Sequence, residues 1–192
     1  MFLQRRDFLG IAAGTLATAT LTAAMFDRSA LAASPPAATT DADGAAAFLK
    51  ARRFMRTSAG EIAYVERGSG EAALFLHGFP LNGYQWRGAL ARLSPYRRCI
   101  APDFLGLGYT RVAQGQSLAP DAQVRMLSEL LDKLGVDRVD VVANDSGGQA
   151  AQLFLATYPN RVRTLLLTNC DSQIGCPPPA LQAGIALAKE NR

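Results

Sequence analysis

Histidine is almost missing from this chain: there is one, His77. Cysteine is scarce as well, with three, at positions 99, 170 and 176. Protein metal centres are built from clustered thiols, imidazoles and carboxylates, so this stock argues against one, and no cofactor is expected. Cys99 lies in an apolar strand pattern and is expected to be buried. Cys170 and Cys176 are close enough for a short disulfide in an oxidising compartment. An excess of either charge is also lacking. Twenty basic residues stand against sixteen acidic ones, a net +4, with both signs scattered. No basic stripe carries interleaved aromatics, which argues against nucleic acid as a partner. What is present is apolar residues, 49% of 192 positions, enough for one domain with a substantial core.

The N-terminus reads differently from the rest. Gln4-Arg5-Arg6-Asp7-Phe8-Leu9-Gly10 puts paired arginines ahead of an apolar stretch from Phe8 to Met25, and Ala30-Leu31-Ala32 offers a small-x-small cleavage site. Residues 1–32 resemble a bacterial twin-arginine export signal. That resemblance implies handling by export machinery, removal of the segment, and a periplasmic or secreted destination. The alternative is an uncleaved membrane anchor, for which the stretch is barely long enough, with Asp27 and Arg28 close behind it. Residues 33–49, rich in Ala, Pro, Thr and Asp, read as a flexible leader.

From residue 50 onward the pattern is regular. Phe54–Thr57 and Glu61–Glu66, separated by Ser58-Ala59-Gly60, read as an antiparallel hairpin. Ala72–Leu76 is a continuous apolar run, the signature of a strand buried on both faces of a parallel sheet. Trp86, Leu90 and Leu93 recur at helical spacing, and Arg98–Ala101 is the next short strand. Val124, Leu127, Leu130, Leu131 and Leu134 mark a helix that starts near Pro120 and stops at Gly135. Arg138–Ala143 is a strand, residues 149–158 a helix, and Val162–Leu167 another buried strand. Beyond Pro177-Pro178-Pro179 a helical fragment runs on. The fold class is therefore α/β, a mostly parallel sheet with helices on both faces. In such sheets ligands bind beyond the carboxyl ends of the strands. His77, Asp103, Asp145 and Asp171 each follow a predicted strand and converge on that rim.

The stretch Val141-Val142-Ala143-Asn144-Asp145-Ser146-Gly147-Gly148 organises the chain. A β-branched run, a sharp turn and a helix are the context of a nucleophile elbow. Small side chains are needed two positions before and after the tip, where strand and helix nearly touch. With Asp145 at the tip those neighbours are Ala143 and Gly147, with Gly148 next. With Ser146 at the tip they are Asn144 and Gly148. The first arrangement fits better, giving a carboxylate nucleophile that forms an ester with carbon. The plainer reading of Asp145 is a cap on the following helix.

Three motifs in this order resemble the α/β-hydrolase superfamily, and within it the haloalkane dehalogenase and epoxide hydrolase group. They are His77-Gly78-Phe79-Pro80, Asp103-x-x-Gly106-x-Gly108 and Asn144-Asp145-Ser146-Gly147-Gly148, and the likeness covers residues 50–175. It implies Asp145 as nucleophile and the backbone N–H groups of Phe79 and Ser146 as an oxyanion hole. It implies structural roles for His77, Gly78, Pro80, Asp103, Gly106, Gly108, Gly147 and Gly148. The implied substrates are small apolar electrophiles, epoxides or carbon–halogen compounds.

The chain departs from the family pattern in four respects. Ser146 stands where dehalogenases of the group carry a tryptophan that holds the departing halide, and Phe79 where a second halide donor is often found. No histidine follows His77 to act as base, and Asp171 is only a weak match to the acidic partner. Residues 176–192 resemble the start of a cap region, so a truncated, inactive fragment is expected. Two alternatives stand: a serine esterase with Ser146 as nucleophile, and a non-catalytic ligand-binding protein on the same fold. Oligomeric state is not legible.

Overall fold

A computed structural model describes residues 41–170 and 179–190. The proposed export signal, Asp171, Cys176 and the Pro177-Pro178 pair lie outside the described residues. The elements are α1 (Asp41–Lys50), β1 (Arg52–Thr57), β2 (Gly60–Arg67), β3 (Ala72–Leu76), a 3₁₀ turn (Gly83–Trp86), α2 (Arg87–Leu93), β4 (Arg98–Pro102) and β5 (Arg111–Val112). They continue with α3 (Pro120–Lys133), β6 (Val139–Asp145), α4 (Ser146–Thr157), a second 3₁₀ turn (Pro159–Arg161), β7 (Val162–Cys170) and α5 (Pro179–Glu190).

One sheet orders the strands β1-β2-β4-β3-β6-β7, with β5 also pairing β2. β1, β4 and β5 meet β2 antiparallel. The β3–β4, β3–β6 and β6–β7 pairs are parallel. The unbroken apolar run of β3 has a direct cause. Successive side chains of a strand point to opposite faces, and both faces are covered. Ala72, Leu74 and Leu76 join Ile100, Val141 and Ala143 under α3 and α4. Ala73 and Phe75 join Val65, Cys99 and Ala101 under Phe48 of α1 and Leu90 of α2. The helical spacing of α3 buries Val124, Leu127, Leu130 and Leu131 as one stripe. Each fully buried leucine contributes about 1.5–3 kcal/mol.

The expected flexible leader needs correction over its last residues. Residues 41–49 belong to helix α1. Its anchor is Phe48, 2% exposed, whose ring meets Tyr84 edge-on at 5.3 Å. A single aromatic in an alanine-rich stretch leaves little periodic signal, although it fixes the helix. β5 was also not foreseen, since a two-residue strand has no pattern to read. At the far side of the sheet, β7 pairs only with β6 among the described residues. Leu166 and Leu167 are 56% and 38% exposed there.

Candidate active site

Two adjacent parallel strands build the site. Leu76 of β3 lies in register with Ala143 of β6, so the loop after β3 and the end of β6 emerge side by side. The ladder of β6 shifts register between Asn144 and Asp145. Asp145 then takes φ 55° and ψ −133°, a region that non-glycine residues enter only under steric strain. Ser146, the next residue, opens helix α4. The strained residue of the bend is thus Asp145.

The bend is tight because glycines allow it. A Cβ added to Gly147 would lie 2.5 Å from the His77 carbonyl oxygen and 2.6 Å from that of Leu76. Helix α4 therefore packs directly on the backbone of β3. A Cβ on Gly78 would sit 2.5 Å from the Asp145 Cβ. Gly148 faces Cys170 at the end of β7, and Gly108 faces the Asp103 carboxylate.

The Asp145 carboxylate has two unlike oxygens. Oδ1 accepts hydrogen bonds from the N–H of Ser146 at 2.6 Å and the N–H of Phe79 at 3.1 Å. Oδ2 has no hydrogen-bond partner among the described residues. One oxygen is thus held by two main-chain donors, one of them at the positive end of a helix, while the other stays free at the sheet rim. The Phe79 side chain beside this rim is 63% exposed.

His77 is fully buried. Its Nδ1 lies 2.9 Å from the Gly78 carbonyl oxygen, and the Phe104 N–H donates to its Nε2 at 3.1 Å. These partners assign the proton to Nδ1. The Gly78 carbonyl and the Phe79 N–H belong to one peptide unit, so the ring steadies the amide that faces Asp145. Burial pushes the His77 pKa below its ordinary 6.5, opposed by the Gly78 hydrogen bond and the nearby Asp103 charge. The folded protein therefore binds a proton here less readily than the unfolded chain. Stability is complete above pH 6.5 and falls as the pH drops below it, by up to about 1.4 kcal/mol per unit. Asp140 and Asp121, both held low chiefly by arginine hydrogen bonds, titrate well beneath this window. Since the chain has no other histidine, urea midpoints between pH 7.5 and 5 report on His77. The decline should be present in the native protein and absent in His77→Gln. A native midpoint that stays level over this range would contradict the assignment.

Asp103 is 2% exposed, and both its oxygens point inward. Oδ1 accepts from the Gly83 N–H and Oδ2 from the Tyr109 N–H, each at 2.8 Å. It clamps the loop after β3 to the glycine loop after β4. Pro80 lies in the first of these loops and Gly106 in the second, where Gly106 has φ 77°.

Motif reading left out Gln85 and gave the motif residue Asn144 no role of its own. Gln85, on the 3₁₀ turn, accepts the Gly78 N–H at 2.9 Å and donates to Asn144 Oδ1 at 2.7 Å. Asn144 in turn donates to the Thr168 carbonyl at 2.8 Å. The only signal in the sequence is a polar residue next to the apolar spacing of Trp86 and Leu90.

Comparison with known proteins agrees with this fold. A family profile described as alpha/beta hydrolase fold matches residues 72–183. The chain is 33% identical over 117 residues to haloalkane dehalogenase 2 of Mycobacterium tuberculosis, covering 61% of this chain and 41% of that protein. It is 44% identical over 101 residues to epoxide hydrolase 2 of Siraitia grosvenorii, covering 52% of this chain and 32% of that one. A solved structure of a variant epoxide hydrolase from Vigna radiata superposes with a TM-score of 0.58 at 34% identity, covering 60% of this chain and 37% of that one. The chain thus spans 32–41% of the length of these proteins.

Proposed function

The chain belongs to the alpha/beta hydrolase fold family, and from that premise we propose that Asp145 is the nucleophile of a hydrolase acting on small apolar electrophiles. One observation carries the reading: Oδ1 rests on two main-chain amides while Oδ2 is free, on a backbone held under strain. Oδ2 attacks an electrophilic carbon. A carbon–oxygen bond of an epoxide, or a carbon–halogen bond, breaks as the ester forms. Water then adds to the Asp145 Cγ, and negative charge gathers on Oδ1. The Phe79 and Ser146 N–H groups already point there, so no reorganisation is needed as charge develops. Collapse returns the carboxylate with one oxygen from water and releases an alcohol or diol.

The epoxide branch is the better supported of the two. Ser146 offers no indole N–H for a leaving halide, and Trp86, the single tryptophan, packs on Phe75 at 5.5 Å. His77 is not proposed as base, because both of its ring nitrogens are engaged with backbone groups. We assign neither the base nor the acid for the epoxide oxygen to a residue of this chain.

Heavy-oxygen water tests the reading. A protein adduct formed with styrene oxide, then allowed to hydrolyse in labelled water, should leave one labelled oxygen in the Asp145 carboxylate. Label found only in the released diol, with Asp145 unlabelled, would contradict the proposal and point to direct attack of water on the epoxide carbon.

A further inference from the structure

We infer that Gln85 is a positioning residue for the oxyanion amide, through a directional relay of side-chain amides that ties the loop after β3 to the elbow. The inference rests on the function proposed above for Asp145. The relay runs from the Gly78 N–H to Gln85 Oε1 at 2.9 Å, and from Gln85 Nε2 to Asn144 Oδ1 at 2.7 Å. It continues from Asn144 Nδ2 to the Thr168 carbonyl at 2.8 Å and to Thr168 Oγ1 at 3.2 Å.

Its direction is set at both ends. A backbone N–H can only donate and a backbone carbonyl can only accept. Gln85 must therefore turn its oxygen to Gly78, which leaves its nitrogen for Asn144. Asn144 must turn its nitrogen to Thr168, which leaves its oxygen for Gln85. Flipping either amide alone sets like atoms against each other at both of its contacts.

The relay matters because of what Gly78 cannot do. Its missing side chain lets Asp145 approach, but it also leaves the backbone there free to rotate. The direction of the Phe79 N–H is set instead by bonds on either side of Gly78. On one side, the carbonyl of the Gly78–Phe79 peptide takes His77 Nδ1 and the Leu81 N–H, each at 2.9 Å. On the other side, Gln85 holds the Gly78 N–H. At its far end the same side chain holds Asn144, the residue directly before the strained Asp145. Gln85 thus couples the donor amide to the carboxylate that it serves.

Charge develops on Oδ1 only when water attacks the ester, so positioning should act on ester breakdown and spare ester formation. Loss of one oxyanion donor slows such steps about 10²–10³-fold, so a misaimed donor should slow breakdown about 10-fold or more. The test follows the styrene oxide adduct on the full chain by intact-protein mass spectrometry, timing its appearance and then its decay after the epoxide is removed. Gln85→Met, close in shape but unable to hydrogen bond at its end, should form the adduct at a rate within a few-fold of the native protein and lose it about 10-fold more slowly. Gln85→Glu, whose protonated carboxyl accepts the Gly78 N–H and donates its O–H to Asn144 Oδ1, should recover most of the decay rate. Native-like unfolding midpoints would separate positioning from misfolding, and Gln85→Glu carries the test if the Met variant does not fold. Decay at the native rate in a folded Met variant would overturn the inference, as would equal slowing of both phases, or no recovery with Glu. Absence of any Asp145 adduct in the native protein would overturn the nucleophile reading, and this inference with it. A native adduct with unaffected variants would overturn this inference alone.

Discussion

Asp145→Gly is expected to abolish adduct formation while making the protein more stable. The native residue sits at φ 55°, ψ −133°, and such strain costs about 1–3 kcal/mol. Glycine enters that region freely, at the cost of about 0.5–1 kcal/mol of extra freedom in the unfolded chain. The Ser146 and Phe79 N–H groups lose their carboxylate partner. They lie at an open rim, where water can replace it. The net gain should be about 1 kcal/mol, read as a higher urea midpoint. Asp145→Asn keeps the strain and should show no such gain, while still losing the chemistry. Loss of the covalent nucleophile should lower adduct formation by about 10⁴-fold or more. A glycine variant less stable than the native protein would mean that the Oδ1 hydrogen bonds outweigh the strain, and that Asp145 serves mainly as a cap.

The opposite effect is expected two residues later. Gly147→Ala puts a methyl group against two main-chain carbonyls, that of Leu76 at the end of β3 at 2.6 Å and that of His77 just after it at 2.5 Å. Neither obstacle is a side chain that can swing aside, so helix α4 must move off the sheet. Overpacking of this kind costs about 1–3 kcal/mol and sometimes more. Alanine's better helix propensity returns about 1 kcal/mol. A net loss of about 2 kcal/mol, the upper end of that difference, is expected here, because both obstacles are backbone. Adduct formation should fall with it, since the Ser146 N–H moves with the helix. Gly44→Ala in α1 is the matching control. Nothing lies within 4 Å of its added methyl group, and a gain of about 0.5–1 kcal/mol is expected. Equal unfolding midpoints for the two variants would argue against the close approach of α4 to β3.

Much of this architecture was legible in the sequence because strand and helix periodicities are loud where burial is complete. Ala72–Leu76 matched β3 to the residue, since both faces of that strand are covered. The α3 stripe was equally clear, whereas α4 opens at Ser146, three residues before the apolar helical pattern that starts at Gln149. The strand feeding the elbow runs two residues further than its apolar pattern, to Asp145, and β7 runs past Leu167 to Cys170. In both cases polar residues continue the ladder without continuing the pattern. Helix α1 was hidden because its burial depends on one residue, Phe48. The Gln85–Asn144–Thr168 relay was hidden for a different reason. Its members come from three separate elements, and only folding brings their amides into line. The motif residues around Asp145 could be named in advance because the elbow's steric demands fall on neighbouring positions of one segment.

The account turns on which atom of this site bonds to carbon, and peptide mass mapping after exposure to styrene oxide tests that most directly. The expected result is one adduct on the peptide holding Asp145, assigned by fragmentation to that carboxylate and lost in Asp145→Gly. An adduct on Ser146, or labelling unchanged in Asp145→Gly, would contradict it.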